Sequence, residues 1–383
     1  MSVATMRASR LGIDATAPSR RLRSRRAPLA ARASSAPDAP SPSTPSKHRQ
    51  ALRFRDARTG VDVVLVGTMH YNPASIELAS STVASLGDAD RLGAVVLETC
   101  PTRWAKTLKF QPKGGPMRLL LDNEFQAATE AAPRKTRVVL GDQRIEDLSV
   151  SAKAQFKSTI EDFASPFTGG WRRLWDDASV TYKREVVGVG DDELKLTFAD
   201  LALDPRLLLA MPLSLFRYPL AWSIKSPKTV VPFLGFVYGL SILPSLVPAG
   251  GVDAETHRYV ASGAENAISA LFFLLDVLEV VFLSRLFLKA LLEVRNDILA
   301  KSVRETCEAV RRERGETGVE TETLTGTGTG TGTLRPKTVV AVLGAAHLNG
   351  VQARLLSGGD GAVLETWELR ERDYAETTTA APT

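Results

Sequence analysis

The sequence predicts an α/β fold: a mostly parallel central sheet with flanking helices and an inserted, largely helical, apolar subdomain. Three observations carry the prediction. Apolar runs of strand length, Asp62 to Val66, Ala94 to Leu97, Arg137 to Leu140 and Thr338 to Leu343, are continuous rather than alternating. Strands buried on both faces read this way. Helical patterns separate the first three runs. Between the third and fourth, residues 151–314 become strongly apolar and helical in pattern.

A chain of 383 residues, 44% apolar and 24% charged, can bury a large core. Its formal charge of +5 is unevenly spread. Residues 1–46 hold 8 arginines and two acids, Asp14 and Asp38. That excess accounts for the basic balance, so nucleic acid is not an expected partner. Two cysteines, Cys100 and Cys307, make no disulfide framework and suit a reducing compartment.

Residues 1–46 are rich in Arg, Ser, Ala and Pro and have no apolar core of a secretory signal. They read as an organellar transit peptide followed by a Ser/Pro spacer, plastid favoured over mitochondrion. Residues 51–150 form the first α/β half. Arg53 to Asp56 and Asp62 to Val66 are strands joined by a turn at Thr59-Gly60. Asn72 and Pro73 open a helix to Leu86. Ala94 to Leu97 is a strand ending at Glu98. Leu119 to Ala132 reads as a helix stopped by Pro133, and Arg137 to Leu140 is a strand ending in Gly141-Asp142-Gln143-Arg144.

Within 151–314 three stretches are strongly apolar: Leu207 to Ile224, Thr229 to Ala249 and Ala267 to Leu292. The middle one has no charge over nearly a bilayer's span, yet it contains Pro232, Pro244 and Pro248. The first is interrupted by Arg217 and Pro219; the third carries Asp276, Glu279 and Arg285. Two readings stand: apolar helices packed on the sheet, or membrane-associated helices. Leu288 to Arg314 is a long charged helix. The Gly/Thr tract within 315–337 is a low-complexity loop. Residues 338–370 return to α/β pattern, with a strand Thr338 to Leu343, a short helix Val351 to Leu356 and an edge strand Val363 to Arg370. Residues 371–383 read as a disordered tail.

The chemistry lies at the strand ends. Two of the chain's 4 histidines share one context, Gly67-Thr68-Met69-His70 and Gly344-Ala345-Ala346-His347, each after an apolar strand. Two further strands end at Glu98, with Arg103 beyond, and at Asp142 and Arg144. If the strands run parallel, all these groups emerge at the carboxyl edge of one sheet, where open α/β folds place their sites. The glycines that end three of these four strands, Gly67, Gly141 and Gly344, allow a sharp turn or close backbone approach. Two imidazoles and a carboxylate suit a divalent ion such as Mn, Co or Zn. His70, Glu98 and His347 are the expected metal ligands, with Glu98 also catalytic. Asp142 is a fourth ligand or general base, and Arg103 and Arg144 pair a carboxylate or steady an oxyanion. Cys100 is a weaker candidate, as a thiol nucleophile. No glycine-rich phosphate loop is present, which disfavours a nucleotide pocket. His48 and His257 receive no role.

These motifs, in this order, resemble the TraB/PrgY family. The residues are Val66 to His70, Glu98-Thr99-Cys100-Pro101-Thr102-Arg103, Leu140 to Arg144, and Val342 to Gly350. The resemblance runs from about residue 60 to 352, interrupted by the Gly/Thr tract. It extends to the Tiki metalloproteases and the erythromycin esterase and ChaN-like group. It implies metal-dependent hydrolysis of a peptide or small amide, with His70, His347 and Glu98 critical and Arg103 supporting. It also implies an alternative, a non-catalytic organelle membrane protein that binds peptides or organises membrane contacts. Two departures are visible. The family's Glu-Leu-Cys is Glu98-Thr99-Cys100, and its Glu-Arg helix motif is Val294-Arg295-Asn296. A helix-borne ligand would then fall to Glu293 or Asp297.

Overall fold

The computed structural model describes residues 46–48, 50–188, 194–246, 248, 250–253, 255–319, 336–357 and 367–369. The transit-peptide expectation, the Gly/Thr tract and the C-terminal tail lie outside them, apart from Ser46 and the ends of the tract's segment.

The chain opens with an antiparallel meander of β1 (Ser46–His48), β2 (Ala51–Arg55) and β3 (Asp62–Thr68). The expected Thr59-Gly60 turn joins the last two, with Gly60 at φ +70°. Helix α1 (Pro73–Asp88) begins where the sequence places it, the Asn72 side chain accepting from the Ala74 amide. Then come β4 (Leu92–Leu97), α2 (Pro101–Phe110), α3 (Pro116–Leu120), α4 (Glu124–Ala131) and β5 (Arg137–Leu140). The helical segment holds α5 (Ile145–Phe163), α6 (Gly170–Thr181), α7 (Phe198–Ala202), α8 (Pro205–Lys225) and α9 (Pro227–Ile242). A short ribbon, β6 (Gly251–Val252) and β7 (Tyr259–Val260), precedes α10 (Gly263–Arg285) and α11 (Val294–Val319). The chain returns to the sheet through β8 (Thr338–Gly344), α12 (Leu348–Ser357) and β9 (Trp367–Leu369).

The sheet order is β1-β2-β3-β8-β4-β5-β9. Its centre, β3-β8-β4-β5, is parallel throughout, and β9 closes one edge antiparallel to β5. Alternation within the apolar runs feeds two cores. Val63, Leu65, Ala94, Val96, Val339, Ala341 and Leu343 face α11 and α12. Val64, Val66, Val95, Leu97, Val340 and Val342 face α1, α2 and α4. Both faces are covered, which is why the runs are apolar without interruption.

Four expectations change. The single helix Leu119–Ala132 is two helices, because Asn123 caps α4: its side chain accepts from the Gln126 amide, 3.0 Å away. This starts α4 at Glu124. Pro219 does not interrupt the first apolar stretch; α8 runs through Pro212 and Pro219 to Lys225. The long charged helix is preceded by a π-helical turn, Leu286–Glu293, and a second π segment spans Tyr182–Val187. Finally, the terminal helix begins before Val351: a 3-10 turn at Ala345–His347 leads directly into α12. Pro101–Phe110, for which the sequence carried no expectation, is also helical.

Candidate functional site

Because β3, β8, β4 and β5 are parallel, their carboxyl ends share one edge. There the structure brings His70, Glu98 and His347 to one point. A Cβ placed on Gly344 would lie 3.3 Å from Glu98 Oε2, 3.5 Å from His70 Nε2 and 3.6 Å from His347 Cδ2. A side chain at Gly344 would crowd Glu98 by a few tenths of an ångström, and one at Gly67 would force a shift, its Cβ standing 2.7 Å from Leu348. Neither is among the described glycines with positive φ. Their role is room rather than left-handed backbone.

Each histidine is held by its Nδ1, and the two holders differ. His70 Nδ1 lies 2.5 Å from Glu124 Oε1. The Tyr71 amide donates to the other oxygen of Glu124 at 3.2 Å. Tyr71 adopts φ +62°, a left-handed conformation costly for an aromatic residue. That local strain lets two consecutive residues address one carboxylate. Glu124 is nearly inaccessible, with its side chain 1% exposed. A buried carboxylate accepts, so His70 Nδ1 donates and its Nε2 is left facing Gly344. Burial opposes charge on His70, but Glu124 more than offsets it and the pKa is raised.

His347 is buried in the 3-10 turn, and its Nδ1 lies 2.7 Å from Asn296 Oδ1. Asn296 could present either end of its amide, so its own neighbour decides. Asn296 Nδ2 donates to Glu185 Oε2 at 2.7 Å. Glu185 in turn accepts from Arg354 at 2.8 and 2.9 Å and from Arg184 at 2.7 Å. Burial works against its charge, but Arg354, Asn296 and Arg184 hold its pKa below the usual range. An ionised Glu185 fixes the Asn296 amide, and the amide fixes a proton on His347 Nδ1. His347 Nε2 lies 3.2 Å from Glu98 Oε1. With Nδ1 already a donor, that contact is a hydrogen bond only when the imidazole is doubly protonated. Gly350 makes this chain possible: a Cβ there would meet Asn296 Nδ2 at 2.1 Å and Glu185 Oε2 at 2.2 Å.

Glu98 sits between the histidines. The Gly344 amide donates to its Oε2 at 2.5 Å. Arg295 Nη2 donates to its Oε1 and also to Asp142 Oδ2. Burial raises the cost of ionising Glu98, but His347 and Arg295 outweigh it, and its pKa falls well below the usual carboxylate range. Asp142 behaves likewise: burial is overcome by Arg295 and Arg103, which keep its carboxyl ionised. The Arg295 pKa is raised, the two carboxylates outweighing burial.

These contacts revise three expectations. Asp142 is fully enclosed, and its oxygens accept from Arg295, Arg103 and the Gln143 amide. It positions the arginines and has no free oxygen aimed at a water, so neither the general base nor the fourth-ligand assignment fits. Arg144 is exposed at the start of α5, outside the cavity wall. The helix-borne acid is likewise absent from the site: Glu293 pairs with Arg184 and Lys289, and Asp297 with Arg354.

A cavity of about 300 Å³ opens onto the cluster. His70, Glu98, Arg103, Arg295, Tyr218 and Lys225 are among the residues lining it. Tyr218 stacks near His70, with ring centroids 6.1 Å apart. Two imidazole nitrogens and a carboxylate match a divalent ion in donor type. The Nδ1 anchors on Glu124 and Asn296 are the outer contacts that such ligands carry. Among the described residues no group of three His, Cys, Asp or Glu stands at ligating spacing. The reason is visible in Glu98, whose Oε1 is turned to Arg295 and His347.

Sequence reasoning missed Glu124, Arg295, Asn296 and Lys225. Glu124 carried a signal, an acid directly after the capping Asn123, which a single 119–132 helix concealed. Arg295 and Asn296 stood in the motif compared with TraB/PrgY proteins, where an acid was sought in place of a cation and an amide.

Comparison with protein-family models, with curated proteins and with solved structures finds no match to this chain.

Proposed function

We propose that this chain is a TraB-like hydrolase of peptide or small amide bonds that works with a divalent metal. The observation carrying the reading is the convergence of His70, Glu98 and His347 beside Gly344, with both imidazoles anchored through Nδ1. His70, Glu98 and His347 would hold Mn, Co or Zn, which when bound supplies Lewis acidity and a water of lowered pKa. The chain's own groups do the rest. Arg295 keeps Glu98 ionised and able to accept a proton. His347, its Nδ1–H held by Asn296, would present an unprotonated Nε2 to the ion. Arg103, one-third exposed on the cavity wall and held by Asp142, faces negative charge that develops on the attacked carbonyl. Tyr218 limits where a substrate can lie against His70.

The test uses the full chain, a peptide library read by mass spectrometry, and each metal added in turn. Metal-dependent cleavage is expected, with Glu98→Gln slower by roughly 10²–10⁴-fold. Metal content equal in wild type and His70→Ala/His347→Ala would contradict the assigned ligands. Absence of cleavage with every metal would contradict the hydrolase.

A second reading, membrane association, has its own observation. By length and composition α8 and a helix beginning at Gly263 could cross a bilayer. Helix α8 is tied to the core: Asn72 donates to the Leu207 carbonyl, Arg217 to the Tyr71 carbonyl, and Lys225 to Tyr71 and Thr107. Helix α8 also exposes Leu209, Leu215 and Phe216, and α9 and α10 expose Phe233, Phe236, Tyr238, Leu271, Phe273 and Val280. Apolar exposure on this scale marks a contact surface, and a bilayer fits helices apolar on all sides. Flotation with liposomes tests it: co-flotation of the full chain is expected, and recovery wholly in the unbound fraction would exclude it. Residues 1–46 we assign to plastid import, and a mitochondrial signal in a targeting assay would overturn that.

A further inference from the structure

We propose that Lys225, with Tyr71 and Thr107, forms a subsite for a carboxylate on the substrate. The subsite rests on the hydrolase reading and deepens it by naming the substrate class, an acidic peptide or acyl amide.

Lys225 ends α8 and lines the cavity. Its Nζ lies 3.2 Å from Tyr71 Oη and 3.1 Å from Thr107 Oγ1. It also stands 5.8 Å from the centroid of the Tyr71 ring. Both hydrogen-bond partners are hydroxyls, and among the described residues no carboxylate is hydrogen-bonded to this ammonium. Glu124 faces the same cavity, but its oxygens are taken by His70 and the Tyr71 amide. The other cavity acid, Glu98, is held by Arg295. Arg103 has Asp142 and Arg295 has both acids. Arg103 and Arg295 are thus paired with carboxylates, whereas the hydrogen bonds of Lys225 go to neutral hydroxyls.

An ammonium so placed is costly to keep charged. Burial lowers its pKa to about 8, Glu124 partly offsetting, so it still carries its proton at neutral pH. An anion in the cavity would restore the missing counter-charge. A carboxylate suits the site better than a phosphate. One ammonium with two hydroxyls supplies few donors, and no glycine-rich turn or arginine fork adds to them. Phe125, Tyr218 and Trp222 also line the cavity and would flank the apolar part of such a ligand.

Two sources of the carboxylate exist, a peptide C-terminus and an Asp or Glu side chain, and the probes separate them. Calorimetry on the full chain would compare N-acetyl-trialanine as free acid, the same peptide as C-terminal amide, and N-acetyl-Ala-Glu-Ala amide. At least one acidic probe is expected to bind roughly tenfold or more tighter than the neutral amide. Lys225→Met should abolish that preference, Lys225→Gln likewise, and Lys225→Arg should keep part of it. Thermal unfolding of each variant identifies a failure to fold, and Lys225→Gln then carries the test. Equal binding of acid and amide by the wild type would overturn the subsite, as would a preference that survives in Lys225→Gln. Cleavage is scored on the same probes. Cleavage without an acid preference removes the subsite and leaves the hydrolase. An acid preference with no cleavage of any probe removes the hydrolase and leaves the subsite.

Discussion

The two Gly-x-x-His motifs end neighbouring parallel strands and hold their histidines in different ways. His70 leans on a carboxylate, Glu124, in a loop bent by the left-handed Tyr71, and its side chain is 33% exposed. His347 leans on an amide, Asn296, in a 3-10 turn, with its side chain 6% exposed. Both holders leave Nε2 directed at the same place. They differ in what they do to charge. A carboxylate stabilises the imidazolium and raises the His70 pKa. An amide fixes which nitrogen carries the proton and adds no net charge. One motif copied twice thus yields two proton environments, because the third residue of each set comes from a distant helix.

The comparison can be broken most severely at the group that serves both halves. Arg295→Met would leave Glu98 and Asp142 buried side by side with no shared cation. Such a loss costs about 3–5 kcal/mol, measurable by chemical denaturation at pH 7. The sign with pH follows from the lowered pKa values of both acids. Their contribution is present above the ordinary carboxylate range and is lost as pH falls through the folded values, so the deficit should shrink in acid. A deficit that grows in acid would contradict the pairing.

Breaking the His347 half alone takes a single methyl group. Gly350→Ala drives a carbon into the Asn296–Glu185 contact, with an expected cost of about 1–3 kcal/mol. If cleavage is established, this variant should also lose rate although residue 350 touches no substrate, and a shifted acid limb in its pH profile would separate that from simple destabilisation. Breaking the His70 half is milder. Glu124→Gln removes the carboxylate, and its cost is expected to be about 1 kcal/mol. A raised histidine pKa stabilises fully below the unfolded value of about 6.5 and loses that contribution as pH rises through the folded value. Wild type and Glu124→Gln should therefore differ in stability at pH 6 and converge in base.

The same comparison explains what could be read from the sequence. The central strands were legible because each faces two cores and carries a continuous apolar run. His70, Glu98 and His347 were legible because a parallel strand delivers whatever follows it to one edge. Glu124 and Arg295 were not, since each reaches the site through pairing across the fold: Glu124 lies 54 residues from His70 and Arg295 lies 197 from Glu98. Nothing local in Val294-Arg295-Asn296 says that a π-helical turn before it aims a cation and an amide at two strand ends. Asp142 was placed at the right edge and given the wrong task, because its arginine partners fill both oxygens. Lys225 was passed over because it directly follows an apolar stretch, Leu207 to Ile224, that drew attention to a membrane.

The most direct test is the proton position on each imidazole. The chain has only 4 histidines, so long-range ¹H–¹⁵N spectra of the imidazole rings can be assigned by single substitutions at His70 and His347. Above the pH at which the rings are neutral, both should show the Nδ1–H tautomer, with Nε2 unprotonated and available to the site. An Nε2–H tautomer at either histidine would contradict the account.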